Sequence, residues 1–391
     1  MSFSFLCMSE DFKGVSFLKT LKQAGHRVFL LTDEKERNSP WPREAIDELF
    51  LSPRNDAQPH DRQKLVDGTA WLAREHGIDC IVALDDFDVE DAALLREEFR
   101  IPGMGQTTAR YFRDKLAMRM RAKEAGIPVP AFTPLFRLEE VREFCASNPG
   151  PYVIKPRGEA SASGITKVAN IEEAIATLNG LGDQAYRYLM ECFAPGRVYH
   201  VDAIVSDGEF QFIRSSVYAD PPLAVVQGGG MFQTRLLDPD SDECAELKAL
   251  TGDVMRAFGM KTSASHTEFI RDADGRFLFL ETSSRVGGAY IANMIHRATG
   301  VDLWSEWAKL EISKLSKTPY RPVKAQQGYG GVSIKAVGEK HPQVEGFDST
   351  CVAEEIEKDY HVGRVFAAKT FEEVKHAQDS FASILTAKYA G

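Results

Sequence analysis

Over the first hundred residues, short apolar runs alternate with stretches whose apolar positions recur every three or four residues. Ser2–Met8 and His26–Asp33 are runs that predict buried strands. Between them Val15, Phe17, Leu18 and Leu21 mark one face of a helix over 14–24, closed by Gly25. Leu65–His76 and Val89–Phe99 repeat the helical period around a further strand at Ile78–Leu84. Strands alternating with helices predict a parallel sheet with right-handed crossovers, so residues 1–103 are expected to form a Rossmann-like α/β domain. No Gly-x-Gly-x-x-Gly follows the first strand, where Gly14 stands alone, so the cradle for a dinucleotide is missing. This domain is expected to wall a substrate cleft instead.

The pattern changes at the turn-rich stretch Ile101-Pro-Gly-Met-Gly105. Thr107 to Ala125 has the period of one long basic helix ending at Gly126, and Pro128 and Pro130 force extended chain after it. Tyr152–Lys155 is a short strand that opens onto a loop of small residues running to Gly164. Ile171–Leu181, Asp242–Phe258, Ala289–Thr299 and Asp302–Ser313 read as helices, and Arg187–Phe193, Val198–Val205 and Glu209–Tyr218 as strands. Three consecutive glycines make Gln227–Arg235 costly to order, which suits a lid or substrate loop. A strand pattern returns at Gly331–Val337, and Phe371, Val374, Phe381, Ile384 and Leu385 mark a last amphipathic helix. The fold class expected is α/β, with an α+β centre, in three parts: 1–103, 104–313 and a small cap at 314–391.

Composition narrows the class. Of 391 residues, 43% are apolar and 27% charged, which is ordinary for a globular chain of more than one domain, and no apolar run is long enough to cross a bilayer. A net charge of −10 argues against a nucleic-acid surface. Met1–Cys7 lacks the basic flank of a signal peptide and reads as a first strand. The cysteines at 7, 80, 145, 192, 244 and 351 are scattered with no Cys-x-x-Cys, as reduced thiols of a cytoplasmic protein would be.

Candidate chemistry begins at Ser265–Gly288. Asp274-Gly275 between two apolar-rich runs is a strong hairpin signal. With these two as the loop, Glu268 lies opposite Glu281 and His266 opposite Ser283. A four-residue loop keeps both glutamates on that face, and an odd loop separates them. Like charges directly opposed are unfavourable, so a cation is expected between them, and hard oxygen ligands suit Mg²⁺. Taken alone, the hairpin is equally a solvated face.

Other pieces complete a pattern: Lys115 after the Gly103-Met-Gly105 turn, Lys155 in Val-Ile-Lys-Pro, the small-residue loop Gly158–Gly164, the strand Leu189–Phe193, and Ser284-Arg285-Val-Gly-Gly288 after the hairpin. In this order they resemble the ATP-grasp enzymes over roughly 104–313, most closely carboxylate–amine ligases of the amino-acid (dipeptide) ligase type. The first domain and the tail resemble that family's N-terminal domain and C-terminal cap. The resemblance implies an acid phosphorylated by ATP and then attacked by an amine, with small-molecule substrates, two Mg²⁺ ions (Mn²⁺ substituting) and commonly a homodimer.

It also implies roles. Lys115 and Lys155 neutralise phosphate oxygens, and Ser161, Ser163 and Gly164 cap the transferred end of the triphosphate. Glu268 and Glu281 hold the metal, with Ser283 as a third ligand. Arg285 faces the substrate carboxylate or acyl phosphate, and His266 touches substrate or relays the amine proton. The backbone of Glu191, Cys192 and Phe193 reads the adenine edge, between Val153 and Leu280. Two positions depart from the family: Ser283 stands where asparagine is usual, and Val198 where a glutamate often grips the ribose, leaving that task to His200. A non-catalytic nucleotide-binding protein and a biotin-carboxylase-like enzyme are the alternatives.

Overall fold

The computed structural model describes residues 1–53, 61–160 and 162–389. In the first domain, strands β1 (Ser4–Ser9), β2 (Arg27–Thr32), β3 (Glu48–Leu51) and β4 (Cys80–Ala83) form a parallel sheet in the order β3-β2-β1-β4. Helices α1 (Val15–Gln23), α2 (Arg62–His76) and α3 (Val89–Glu98) pack on it. Every residue of β1 is buried, as a central parallel strand with both faces covered requires.

The single helix expected over 107–125 is two: α4 (Gln106–Arg110) and α5 (Lys115–Glu124). Asp114 breaks them. It leaves helical geometry, accepts the N–H groups of Leu116 and Ala117, and is itself held by Arg157 Nε at 2.9 Å. A carboxylate in this position starts a new helix, and it places Lys115 at the first turn of α5.

A small antiparallel sheet follows, with β5 (Phe132–Pro134), β6 (Tyr152–Pro156), β7 (Thr166–Val168) and β8 (Tyr188–Cys192) in the order β5-β8-β6-β7. It carries α6 (Leu138–Ser147) and α7 (Ile171–Leu181). Asn170 caps α7 by accepting from the N–H of Glu173.

The large antiparallel sheet is built from β9 (Arg197–Ser206), β10 (Glu209–Tyr218), β11 (Phe232–Leu236), β12 (Ser263–Arg271), β13 (Phe277–Ser283), β14 (Tyr329–Ala336), β15 (Val352–Lys358) and β16 (His361–Ala368). Its order is β13-β12-β9-β10-β11-β14-β16-β15. Helices α8 (Pro222–Gly228), α9 (Asp242–Phe258), α10 (Ile291–Thr299), α11 (Leu303–Ser316) and α12 (Phe371–Lys388) accompany it. The tail is therefore continuous with the central sheet, because β14 pairs with β11 across the position where a cap was expected to begin. The β15–β16 hairpin goes beyond the strand expected at 331–337. Glu354, Glu355, Glu357 and Lys358 give β15 the polarity of an edge strand, which hides it from an apolar pattern. Within the triple-glycine segment, α8 ends at Gly228 and β11 begins at Phe232, so little of it is loop.

The first domain is fused to the large sheet. Phe17 of α1 meets Trp307 of α11 edge-on, with ring centres 5.2 Å apart, and one hydrophobic core runs from β1 and β2 through α1 into α10 and α11. This docking brings the segment after β4 against the end of β13.

Candidate active site

Strands β12 and β13 pair Glu268 with Glu281 and His266 with Ser283, in the expected register but by another route. The last pair is Arg271 with Phe277, so the loop runs from 272 to 276, an odd length that alone would separate the glutamates. Leu280 is bulged between Phe279 and Glu281, and this extra residue restores the pairing. Tyr218 donates its hydroxyl to Glu268 at 2.7 Å.

Two lysines converge from the other side of the cleft. Lys115 Nζ lies 2.9 Å from Glu281 and donates to the Glu159 carbonyl at 2.6 Å. Lys155, on β6, pairs with Glu191 on β8 at 2.6 Å, and the other oxygen of Glu191 lies 2.6 Å from Arg119 of α5. Arg119 is wholly buried, so the contact is a buried ion pair. Burial lowers the Lys155 ammonium to about 8, with Glu191 opposing and Arg119 reinforcing the change. Burial would raise Glu281, but Lys115 holds it below the usual carboxylate range.

Arg285 is organised by a residue that the sequence did not single out. Its Nε donates to Asp86 Oδ2 at 2.8 Å, Nη2 donates to the same oxygen, and Nη1 donates to the Val286 carbonyl at 2.9 Å. Asp86 Oδ1 accepts the Ser283 hydroxyl, so both Ser283 and Arg285 are tied to the first domain. The available signal was Asp85-Asp86-Phe87-Asp88, an acidic segment at the carboxyl end of a parallel strand, where open α/β sheets place their ligands.

His266 and His200 share one carboxylate. Asp202 Oδ1 lies 2.9 Å from His266 Nδ1, and Oδ2 lies 2.7 Å from His200 Nδ1. His200 Nε2 is 2.7 Å from Thr234 Oγ1 and the ring is fully buried. His200 is thus not placed to hold a ribose: both nitrogens are taken and no edge is open. His266 Nε2 lies 3.6 Å from Glu268. Burial opposes charge on His266, but Asp202 and Glu268 outweigh it and push the imidazole up to about 10.

At the hinge, the Cys192 N–H donates to the Ala131 carbonyl at 2.8 Å and the Phe193 N–H to the Pro151 carbonyl at 2.9 Å. Neither is free to read adenine. The next N–H, on Ala194, has no acceptor among the described residues. Gly196 lets this segment lie on the hairpin, since a Cβ there would stand 2.0 Å from the Arg271 carbonyl oxygen. Val153 is buried on β6, Val198 is core, and Leu280 packs beside Val198, Tyr218 and Ile270.

The small-residue loop folds back onto β6. Gly164 has φ +68°, and a Cβ there would meet the Pro156 ring at 2.8 Å, so only glycine fits both demands. Ser163 is exposed and its N–H donates to Ala160. Ser161 lies outside the described residues. Opposed hard carboxylates with two lysines beside them form a donor set that fits a triphosphate and Mg²⁺.

Together, the parallel-sheet domain, the small antiparallel sheet and the large sheet with its glutamate hairpin make the ATP-grasp fold. The chain's relatives within that fold are carboxylate–amine ligases. It is 27% identical to an L-arginine-specific L-amino acid ligase of Bacillus subtilis over 260 residues, 64% of this chain and 62% of that one. It is 22% identical to the alanine–anticapsin ligase of the same organism over 272 residues, 63% and 57% of the two chains. The match thus spans less than two thirds of either relative. Among solved structures, an L-amino acid ligase from Bacillus licheniformis superimposes with a TM-score of 0.73 at 16% identity, covering 97% of this chain and 98% of that one. The biotin carboxylase domain of the Hydrogenobacter thermophilus 2-oxoglutarate carboxylase, a dimer bound to MgADP and bicarbonate, gives 0.69 at 19%, covering 98% and 90%. No protein-family model matches the chain.

Proposed function

We propose that this protein is an ATP-dependent ligase joining the carboxylate of a small acid, an amino acid or similar, to an amine. The observation that carries the reading is the opposed pair Glu268–Glu281 with Lys115 2.9 Å from Glu281. Acids and cations meet there at the spacing that phosphoryl transfer needs, a reaction governed by positioning and charge neutralisation. An oxygen of the acid attacks the terminal phosphorus of ATP, the bridging P–O bond breaks and ADP leaves. The amine nitrogen then attacks the acyl carbon, phosphate departs with the C–O electrons, and the amine proton passes to solvent.

Lys115 and Lys155 hold phosphate oxygens as point charges. Glu268 and Glu281 would hold Mg²⁺, two ions in this reading with Mn²⁺ able to replace them, and the metal would supply charge neutralisation of the phosphates. The Ala194 N–H meets the adenine edge. Arg285 offers its remaining N–H groups to the acid, and His266 meets the substrate beside Glu268. A homodimer, the form of the biotin carboxylase domain, and a reducing cytoplasmic setting for six unpaired thiols belong to the same proposal. Among the described residues no helix is long and apolar enough to cross a membrane.

The test is ADP release from ATP and Mg²⁺ with pooled amino acids and other small acids and amines, for the native chain and Glu281→Gln. Substrate-dependent ADP in the native chain and none in a folded Glu281→Gln variant is expected. Silence across the whole panel would favour a non-catalytic nucleotide-binding protein, and dependence on bicarbonate a carboxylase. Near-native ADP formation by Glu281→Gln removes the metal assignment.

A further inference from the structure

Arg113 lies in the turn between α4 and α5, two residues ahead of Lys115. Its guanidinium stacks on Phe87 of the first domain, with Cζ 4.6 Å from the ring centre. Nη2 reaches within 3.9 Å of the point where a Cβ on Gly158 would stand, at the start of the small-residue loop. Three other cations at this cleft have an acid against them: Lys115 has Glu281, Lys155 has Glu191 and Arg285 has Asp86. Among the described residues no carboxylate oxygen lies within 4.0 Å of the Arg113 guanidinium, and no hydrogen bond engages that side chain. Asp86, whose charge reaches it, is already taken up by Arg285 and Ser283.

A solvated arginine needs no acid beside it, but this one is half-buried and fixed against an aromatic ring. Stacking of this kind lowers the entropy lost when the planar fork takes an oxyanion. The fork is fixed at the mouth of the loop whose far end, Gly164, is turned back onto β6. Lys115 and Glu281 close the same mouth from the hairpin side. An anion seated on the loop therefore meets Arg113 as the cation whose charge is not yet compensated.

We propose that Arg113 binds the terminal phosphoryl group of the nucleotide, and that Phe87 holds it in place from the first domain. The inference rests on the nucleotide-site reading above. It makes the first domain a contributor to phosphoryl transfer through the hold of Phe87 on Arg113, in addition to its hold on Arg285.

The test compares the affinity of a non-hydrolysable ATP analogue with that of ADP, both with Mg²⁺, by calorimetry. The proteins are the native chain, Arg113→Ala, Arg113→Lys and Phe87→Leu. Arg113→Ala should weaken the analogue by about tenfold or more and ADP by less than about twofold. Arg113→Lys should recover part of the loss, and Phe87→Leu should fall between. Equal weakening of both nucleotides, or no weakening of either, overturns the proposal while native binding leaves the nucleotide site standing. A native chain that binds neither nucleotide overturns both. Should Arg113→Ala fail to fold, the lysine and leucine variants carry the same comparison.

Discussion

Asp86→Asn asks whether the first domain aims Arg285. A guanidinium has five N–H groups. In Arg285 three are spent, two on Asp86 and one on the Val286 carbonyl, which leaves one on Nη1 and one on Nη2. Such a pair takes a carboxylate or an acyl phosphate bidentately. Asparagine keeps the shape at a site only 7% exposed, and its oxygen can still accept from Arg285 while the Ser283 hydroxyl turns to accept from the amide. Only charge is lost. Hydrogen bonds to charged groups contribute about 1.5–3 kcal/mol against about 1 for neutral ones, so the variant should lose about 1–3 kcal/mol of stability. That is less than the ~3–5 kcal/mol for stripping one partner from a buried pair. Urea unfolding measures this loss, and ADP release against acid concentration measures the aim. The KM for the acid should rise several-fold while the affinity for MgADP stays within about twofold. A native KM with reduced stability would make Asp86 an anchor and nothing more, and native stability would refute the pairing energetics themselves.

Two further outcomes follow from geometry and charge. Gly164→Ala forces a left-handed backbone on a residue with a Cβ and drives that atom into Pro156, a strain of about 1–2 kcal/mol before the clash. It should displace the small-residue loop, lowering phosphoryl transfer by at least tenfold with the melting temperature little changed, and a native rate would show that the loop does not cap the triphosphate. Lys155 has a folded value near 8, below its unfolded one. The buried ammonium therefore costs stability below about pH 8, a cost relieved as pH rises towards the ordinary lysine range. A bound triphosphate favours the charged form, so at pH 8 nucleotide binding should take up about half a proton. Calorimetry in buffers of different ionisation enthalpy reads this directly. Uptake should vanish in Lys155→Met, and its absence in the native chain would place the phosphates elsewhere.

Much of the fold was legible because its signals are local. The helices at 171–181 and 242–258 lie where the apolar period put them, started by caps on Asn170 and Ser241. The break at Asp114 was hidden because the helical period runs through it and its cause is Arg157, 43 residues away. The glutamate register was reached through a loop of the wrong length, which the bulge at Leu280 corrects. Period-two patterning fixes which face carries charge, but the bulge that preserves the face leaves no mark in it. His200 was offered a ribose because Val198 left that role empty, yet a histidine in a mostly apolar strand is more simply satisfied by Asp202 and Thr234 on neighbouring positions of the same sheet.

The same division runs through the site. The cations and acids were readable by type, but their pairing depends on contacts between segments 197 and 199 residues apart, as with Asp86, Ser283 and Arg285. Pairing decides function, because a cation already matched to an acid must exchange partners to bind a phosphate, while an unmatched one need not. Lys115, read from its motif, sits on Glu281. Arg113, two residues earlier and passed over as part of a basic helix, is held against Phe87, and among the described residues no carboxylate forms an ion pair with it. The break at Asp114 produces both outcomes, since one uninterrupted helix would turn the side chains at 113 and 115 about 200° apart around its axis. A cap that reads as a minor detail of helix geometry is therefore what brings two neighbouring cations to the start of one small-residue loop.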